Sequence, residues 1–169
     1  TVSILTSQEK PSDGKPAPHR EWKQTIVPVS KGSEGFDVSP DGKWLWTAAA
    51  GDGSIAIIDL DNNKVSSTID AKILGANRLV FTPDGKRVLV SSLRAGDLFV
   101  FDVASHKEVK RIHIGSGAAG IIVDPDGSRA FVGCSPDNYV AVVDLKKMEM
   151  IGQINVGGTP DGLAWTVIP

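Results

Sequence analysis

The chain has 169 residues, a net charge of −2 and 41% hydrophobic residues, a balance typical of an ordinary globular protein. Acids and bases are interspersed, so the sequence lacks the basic stripe expected for a nucleic-acid partner. The apolar runs stop well short of the ~20 residues that a membrane-spanning helix requires, which predicts no membrane span. The single cysteine, Cys134, excludes an internal disulfide and a CxxC motif.

Residues 1–30 are predicted to form half of a blade. Residues 1–6 align with the third strand of the repeat described below, and residues 21–29 supply a fourth strand. The connection between them, residues 8–20, contains Pro11, Pro16 and Pro18, so its middle cannot form regular structure. We expect this connection to be a flexible loop or a partner-docking arm.

Residues 31–70 are predicted to form the first complete blade. Four short runs rich in Val, Ile and aromatic residues, at 35–39, 44–49, 54–60 and 64–69, are separated by Gly, Pro, Asp and Asn. The first two runs are joined by the turn Ser39-Pro-Asp-Gly-Lys, in which proline presets φ, Asp bonds locally and glycine accepts a positive φ. We therefore expect the turn aspartate to be structural.

The same pattern returns in residues 71–114 and 115–156. The turn recurs at Thr82 and at Asp124, shifted by 43 and then 42 residues, and the apolar-Asp-apolar run around Asp59 recurs with the same shifts. Stacking such four-stranded sheets radially buries their faces and leaves only short edges. A sandwich does not repeat at a fixed spacing, and β-helix coils are shorter. The sequence therefore predicts an all-β fold, a β-propeller of four-stranded antiparallel blades with repeats of about 42 residues, and about four blades' worth in this chain.

Two stretches, Ser39-Pro-Asp-Gly-Lys-Trp-Leu-Trp-Thr-Ala and Gly53-Ser-Ile-Ala-Ile-Ile-Asp-Leu, resemble the YVTN-type β-propeller repeat. The resemblance continues over nearly the whole chain. It departs from the family pattern at the end of each second strand, where Ala49, Ser92 and Cys134 replace an asparagine. The resemblance implies the propeller fold, but it leaves function open, because that family includes surface-layer proteins, periplasmic binding modules and lactonase-like enzymes.

The two ends of the sequence are predicted to be complementary. Residues 157–169 contain a first strand, because Gly162 aligns with Gly35 and Gly120, whereas residues 1–30 supply a third and a fourth strand. Three arrangements fit: a piece of a larger ring, half of a homodimeric ring, or a small ring with one incomplete blade. We favour a partial or assembled ring, in which open blade edges lead to self-association.

Little in the sequence points to catalysis. His19, His106 and His113 lack metal-ligand spacing, and there is no Gly-x-Ser-x-Gly elbow. Cys134 occupies a position that small residues fill in the other repeats, which indicates packing. The glycine-rich residues 115–120 precede a predicted strand, whereas a dinucleotide fingerprint opens a helix. We expect no catalytic residue, no metal and no cofactor.

The candidate binding surface is the propeller face on which the fourth-to-first and second-to-third strand loops gather around the channel. The position just before each first strand carries Glu34, Asn77, Ala119 and Asp161, so the channel mouth is predicted to be polar and partly acidic. Basic residues lie nearby in the sequence. The predicted ligand-binding residues are Glu34, Asn77, Asp161, Lys31 and Arg94.

These observations favour a non-enzymatic binding or scaffold module that recognises a protein or a small polar ligand at the channel mouth. One alternative is a lactonase-like propeller hydrolase that uses acidic residues there, and another is a structural cell-surface protein. The resemblance implies a periplasmic or cell-surface location.

Trp46 and Trp165 are predicted to pack between blades, with Trp22 and Trp44 more exposed.

Overall fold

The computed structural model describes residues 1–10 and 19–166, which contain 14 β-strands and no helix. Alternating branched and aromatic side chains between Gly, Pro and Asp turns explain why these strands are short. No described segment is a helix long and apolar enough to cross a membrane. The strands are β1 (Val2–Lys10), β2 (His19–Val27), β3 (Ser33–Val38), β4 (Trp44–Ala49), β5 (Ile55–Asp59), β6 (Lys64–Ile69), β7 (Ala76–Phe81), β8 (Arg87–Ser92), β9 (Asp97–Asp102), β10 (Lys107–His113), β11 (Ala118–Val123), β12 (Arg129–Cys134), β13 (Tyr139–Asp144) and β14 (Glu149–Asn155).

The strands form one two-stranded ribbon, β1–β2, and three four-stranded antiparallel meanders. We name the meanders the first sheet (β3–β6), the second sheet (β7–β10) and the third sheet (β11–β14). They lie within residues 31–70, 71–114 and 115–156. Each is paired only between strands that are consecutive in the chain, as the repeated turn chemistry predicted.

The N-terminal ribbon is longer than the sequence indicated. Gln8 pairs with Glu21 and Glu9 pairs with Arg20, so both strands continue into the predicted loop 8–20. The predicted bounds of that loop are therefore wrong at both ends, because the antiparallel ladder extends through polar residues that carry no strand signal of their own. The three prolines lie outside the described residues.

The repeated Pro-Asp-Gly turns are held by their own side chains. Ser39 Oγ donates a hydrogen bond to Asp41 Oδ1 at 2.5 Å, and Trp44 N donates to Ser39 Oγ at 3.0 Å. Gly42 has a φ of +73°, a conformation that a side chain would disfavour. The hydrogen bond from Ser39 lowers the pKa of the Asp41 carboxyl. The prediction that this aspartate is structural is confirmed by its contacts.

The sheets stack face to face through their apolar residues. Trp46 is fully buried between the first and second sheets and meets Phe81 edge-on at 5.8 Å between ring centroids, as predicted. A second core joins the second and third sheets, and a small one joins the ribbon to the first sheet. The ribbon contributes the buried Val27 and the partly buried Val2 and Ile4 to that small core. Trp22 is exposed and Trp44 is half-buried.

Residues 157–166 form no strand, although a first strand was predicted here. A first strand pairs with a second strand of its own sheet, and the described residues supply none. The segment nevertheless packs against the third sheet, on the face that points away from the second sheet. Ser135 Oγ donates to the Pro160 carbonyl at 2.6 Å, and the rings of Trp165 and Phe131 are 5.8 Å apart. The segment therefore lies where the innermost strand of a following sheet would lie, but it forms no strand pairing.

The face of the ribbon and of β3 that points away from the second sheet is open and apolar. Leu5 is 61% exposed, whereas its repeat equivalents Ile58, Phe101 and Val143 are buried between sheets. Phe36 is likewise 61% exposed, although its equivalent Leu79 is buried. We call this surface the leading flank, formed by Leu5, Trp22, Ile26 and Phe36.

Candidate functional site

The innermost strands β3, β7 and β11 lie side by side, and glycine lets them approach closely. A Cβ on Gly35 would collide with the backbone of Asn77 and Arg78, and one on Gly120 would collide with the Asp161 carbonyl. The ring positions Glu34, Asn77 and Ala119 were predicted to precede the innermost strands, but each is the second residue of its strand. These contacts place them, together with Asp161, at one end of the stack. The predicted ring of equivalent positions is formed at this end.

Four polar side chains meet there, and we call them the arginine cluster: Glu34, Asn77, Arg78 and Asp161. Asn77 Nδ2 donates to Glu34 Oε2 at 2.8 Å. Arg78 lies between the two carboxylates, with Nη1 3.5 Å from Glu34 Oε2 and Nη2 3.8 Å from Asp161 Oδ2. The cluster thus joins the first sheet, the second sheet and the segment that follows the third sheet.

The arginine cluster is rigid at its base and open at its top. Asn77 is only 4% exposed, so its amide is fixed by packing and by its hydrogen bond to Glu34. The side chains of Glu34 and Asp161 are more than half exposed. Two carboxylates and one guanidinium leave a net charge of −1 and several acceptor oxygens facing solvent. This arrangement can accept donors from a cationic or polar group while Arg78 offers donors to an acceptor.

Sequence reasoning brought Glu34, Asn77 and Asp161 together correctly but missed Arg78. A signal was present, since Arg78 occupies the position that Gly35, Gly120 and Gly162 fill in the other repeats. An arginine at a position that is glycine in the other repeats indicates that its side chain has a specific role there. The remaining ring position, Ala119, is buried, and its carbonyl accepts a hydrogen bond from Ser91 Oγ at 2.6 Å.

Lys31 and Arg94 lie on the same loop face but not in the cluster. Both are exposed, and within the described part of the chain neither forms an ion pair with Glu34 or Asp161. The Lys31 carbonyl accepts a hydrogen bond from Gly51 N at 3.1 Å. Arg94 lines a cavity of about 160 Å³ beside Lys72. The structure therefore separates these two predicted residues from the three that meet Arg78.

The other chemically reactive groups lie away from the channel mouth. His113 Nδ1 is 2.9 Å from Asp97 Oδ1 on the outer strands of the second sheet, and His106 lies at the β9–β10 turn. Cys134 is buried, and burial raises the pKa of its thiol. Over residues 1–10 and 19–166, no three His, Cys, Asp or Glu side chains are grouped as metal ligands.

A family model described as "YNCE-like beta-propeller" matches residues 18–129, which is more than half of the chain. The chain belongs to the YNCE-like β-propeller family. The prediction of an all-β propeller with four-stranded antiparallel blades is confirmed by this match together with the three observed meanders. The finer assignment to the YVTN-type repeat stays a prediction.

A curated relative of this YNCE-like protein is "Antigen Lp49" of Leptospira interrogans serogroup Icterohaemorrhagiae serovar copenhageni. The two sequences are 27% identical over 130 residues, which are 72% of this chain and 28% of the relative. The chain therefore spans little more than a quarter of that relative's length. The similarity extends through most of the repeats but says nothing of the rest of the longer protein.

Solved structures of similar fold include the hydrazine synthase of Kuenenia stuttgartiensis, with a TM-score of 0.70 and 26% identity over 79% of this chain and 38% of that chain. A functionally unknown protein from Desulfotomaculum acetoxidans has a TM-score of 0.73 and 16% identity, over 94% of this chain and 51% of that one. A putative 6-phosphogluconolactonase from Bacteroides fragilis has a TM-score of 0.69 and 18% identity, over 80% and 42%. The last two likenesses show the fold alone.

Proposed function

We propose that this chain is a non-enzymatic propeller binding module that recognises a small polar ligand or a protein segment at the arginine cluster. One observation carries the proposal: Glu34, Arg78 and Asp161 come from separate parts of the chain and converge at one exposed point around a buried Asn77. Loops and strand ends held by a rigid scaffold are where binding residues gather. Lys31 and Arg94 are proposed as outer contacts on the same face.

The chemistry of the cluster favours a ligand that carries both a cationic donor and an acceptor. Glu34 and Asp161 can each accept from an ammonium, and Arg78 can donate to a carboxylate or carbonyl once it is drawn away from one of its two partners. The ion pairs of Arg78 are long, at 3.5 and 3.8 Å, and they are exposed, so exchanging one of them for a ligand costs little. An amino acid or the end of a peptide meets this description.

A thermal-shift panel of free amino acids, polyamines and tripeptides with free termini tests the proposal. At least one compound should raise the unfolding temperature of the wild-type protein and lose that effect in the double variant E34Q/D161N. The matched control is E21Q/D61N, which removes two acids remote from the cluster. A panel with no stabilising compound, or compounds that stabilise the cluster variant equally, would overturn the proposal.

The lactonase-like alternative is kept because one structural neighbour is a putative 6-phosphogluconolactonase. Two carboxylates near one another could serve as acid and base, but Arg78 lies between Glu34 and Asp161 and interacts with both. Arg78 thus occupies the space between the two carboxyl groups, whereas an acid–base pair needs its substrate in that position. Turnover of a lactone that disappears in E34Q would favour the enzyme over the binding module.

Self-association and an exported location are also proposals. Positions that are buried between sheets inside the chain are exposed on the leading flank, so a further set of blades, here a second copy, is proposed to cover it. The relative named as an antigen supports a periplasmic or cell-surface location, with the structural cell-surface role as a further alternative.

A further inference from the structure

A cleft of about 220 Å³ opens between the first and second sheets, on a part of the molecule that the arginine cluster does not reach. Two tryptophans and a histidine are among its six lining residues, and the lining is mainly apolar. A cavity of ~150 Å³ is enough to hold benzene, so this cleft can admit a small group or a side chain. The lining residues are Trp44, Trp46, Ile57, Ser66, Val103 and His106.

The next interface shows what the repeat places at the same position. Trp44 is equivalent to Arg87, and Val103 is equivalent to Leu145. Between the second and third sheets, Arg87 Nη1 donates a hydrogen bond to the Leu145 carbonyl at 2.8 Å across the interface. The third sheet also has an arginine here, Arg129. Only in the first of the three sheets does an indole replace the guanidinium.

The groups that accompany the guanidinium are retained in the first interface. Arg87 pairs with Asp102 in the β8–β9 register, and Trp44 pairs with Asp59 in the β4–β5 register. Asp59 is thus placed opposite Trp44 as Asp102 is placed opposite Arg87. The Asp59 carboxylate also accepts hydrogen bonds from Asp61 N, Asn62 N and Asn62 Nδ2. Compared with the next interface, the first interface therefore lacks the cation of Arg87. It retains an acid, Asp59, and a main-chain carbonyl at the equivalent position, that of Val103.

The wall of the cleft suits a cation. Trp46 and His106 form a T-shaped, edge-to-face contact, with ring centroids 5.4 Å apart and planes at 85°. Indole rings attract guanidinium and ammonium groups through their negative faces, and more strongly where water is excluded. The half-buried Trp44 and the buried Trp46 both contribute indole rings to the lining of the cleft.

We propose that the cleft binds the guanidinium group of a ligand, which replaces the missing arginine between the aromatic wall, Asp59 and the Val103 carbonyl. The group reaches the cleft on a short alkyl chain, as in an arginine side chain. It can come from a small guanidino compound or from an arginine of a peptide, and both sources share this chemistry. The site is separate from the arginine cluster and needs no ligand there.

Isothermal titration calorimetry with N-acetyl-arginine amide tests the proposal, with N-acetyl-citrulline amide as the neutral probe of the same shape. The arginine probe should bind saturably with a dissociation constant in the millimolar range or tighter, and the citrulline probe should bind at least about tenfold more weakly. Equal binding of the two probes, or no binding of the arginine probe, would overturn the proposal.

Two variants place the binding in the cleft. Trp44→Arg supplies the guanidinium that the other two sheets carry, so it should fold and lose at least about tenfold in affinity for the probe. His106→Met introduces the residue of the equivalent Met148 and should weaken binding while the fold is kept. The cluster variant E34Q/D161N should bind the probe as the wild type does. Unchanged affinity in Trp44→Arg, or loss confined to E34Q/D161N, would contradict the cleft site.

A peptide probe distinguishes the two sources of the guanidinium group, a small guanidino compound and an arginine of a peptide. If N-acetyl-Ala-Arg-Ala amide binds at least tenfold more tightly than N-acetyl-arginine amide, a peptide is the ligand. If the two probes bind equally, the guanidino group alone accounts for recognition. Binding of either probe that is saturable and lost in Trp44→Arg supports the proposal.

Discussion

Thr159 adopts a backbone conformation that is otherwise filled by glycine at the same repeat position. Its φ is +54°, and its equivalents Gly32, Gly75 and Gly117 also have a positive φ. A β-branched residue is a clear outlier in this region because its side chain crowds the backbone. The residue is held there by the hydrogen bond from Thr159 N to Asn138 Oδ1 at 3.0 Å.

Thr159→Gly should therefore raise the free energy of unfolding by about 0.5–1 kcal/mol, since it removes local strain at small cost in the unfolded chain. Urea denaturation measures the change. Thr159→Ala is the control, because it keeps a Cβ at the same φ and should gain less than Thr159→Gly. A Gly variant that is less stable than wild type would show that the conformation of Thr159 costs nothing.

The close approach of innermost strands depends on Gly120. A Cβ there would overlap the Asp161 carbonyl, and nothing flexible is available to move aside because the neighbour is backbone. Gly120→Ala should lower the free energy of unfolding by about 1–3 kcal/mol, measured by urea denaturation. Gly152→Ala is matched to it, since no atom lies near that position, and it should be close to neutral. Equal stability of the two variants would mean that residues 157–166 do not lie where the structure places them.

At the scale of the strand and its turn, the third strand of each four-stranded sheet ends on an aspartate that caps the following turn. Asp59 accepts from Asn62, Asp102 from Ser105 and Asp144 from Lys147 N. The Asn62 side chain lowers the pKa of Asp59, the Ser105 side chain that of Asp102, and the Lys147 backbone that of Asp144.

These lowered pKa values set the sign of the acid response. An aspartate whose folded-state pKa is lower than its unfolded value of ~3.9 stabilises the fold above that value, and the stability is lost as pH falls through the folded pKa. The unfolding temperature should therefore fall steeply below about pH 4. The triple variant D59N/D102N/D144N should show a flatter profile between pH 5 and pH 3. A profile as steep as that of the wild type would assign the acid response to other groups.

At the scale of the whole molecule, the leading flank predicts association. Leu5 and Phe36 are exposed where equivalent residues are buried, and the likeness to solved chains covers only 38–51% of those chains. Two copies would double the number of blades in one assembly, and head-to-tail docking of two arcs can close a ring.

Light scattering during size exclusion should give a mass near twice 17.8 kDa for the wild type. The double variant Leu5→Lys and Phe36→Lys should give the single-chain mass, because unpaired charges on the leading flank oppose burial. Leu74→Lys and Leu93→Lys, which also replace exposed leucines but lie on the loop face, serve as the control and should leave the dimer intact. A monomeric wild type would contradict self-association.

Sequence reasoning predicted most of the fold. It failed where strand pairing depends on residues that are far apart in the sequence. The three meanders follow from local turn chemistry, since Pro-Asp-Gly turns and strand-end aspartates bond within a few residues of themselves. The lengths of β1 and β2 were missed because their outer halves are polar and gain strand structure from each other. Residues 157–166 were predicted as a strand, but a ladder needs a partner strand as well as a suitable sequence.

The repeat alone determined the sheet order, the turn conformations and the equivalence of Glu34, Asn77 and Asp161, because a fixed period places equivalent residues at equivalent points of a stacked fold. Only the tertiary structure decided that Arg78 lies between Glu34 and Asp161, whereas Lys31 and Arg94 do not. Which ion pairs a long, flexible side chain forms depends on the distances to charged groups in the folded backbone. The repeat marks Arg78 because it occupies a glycine position, but the partners of its side chain depend on packing between sheets.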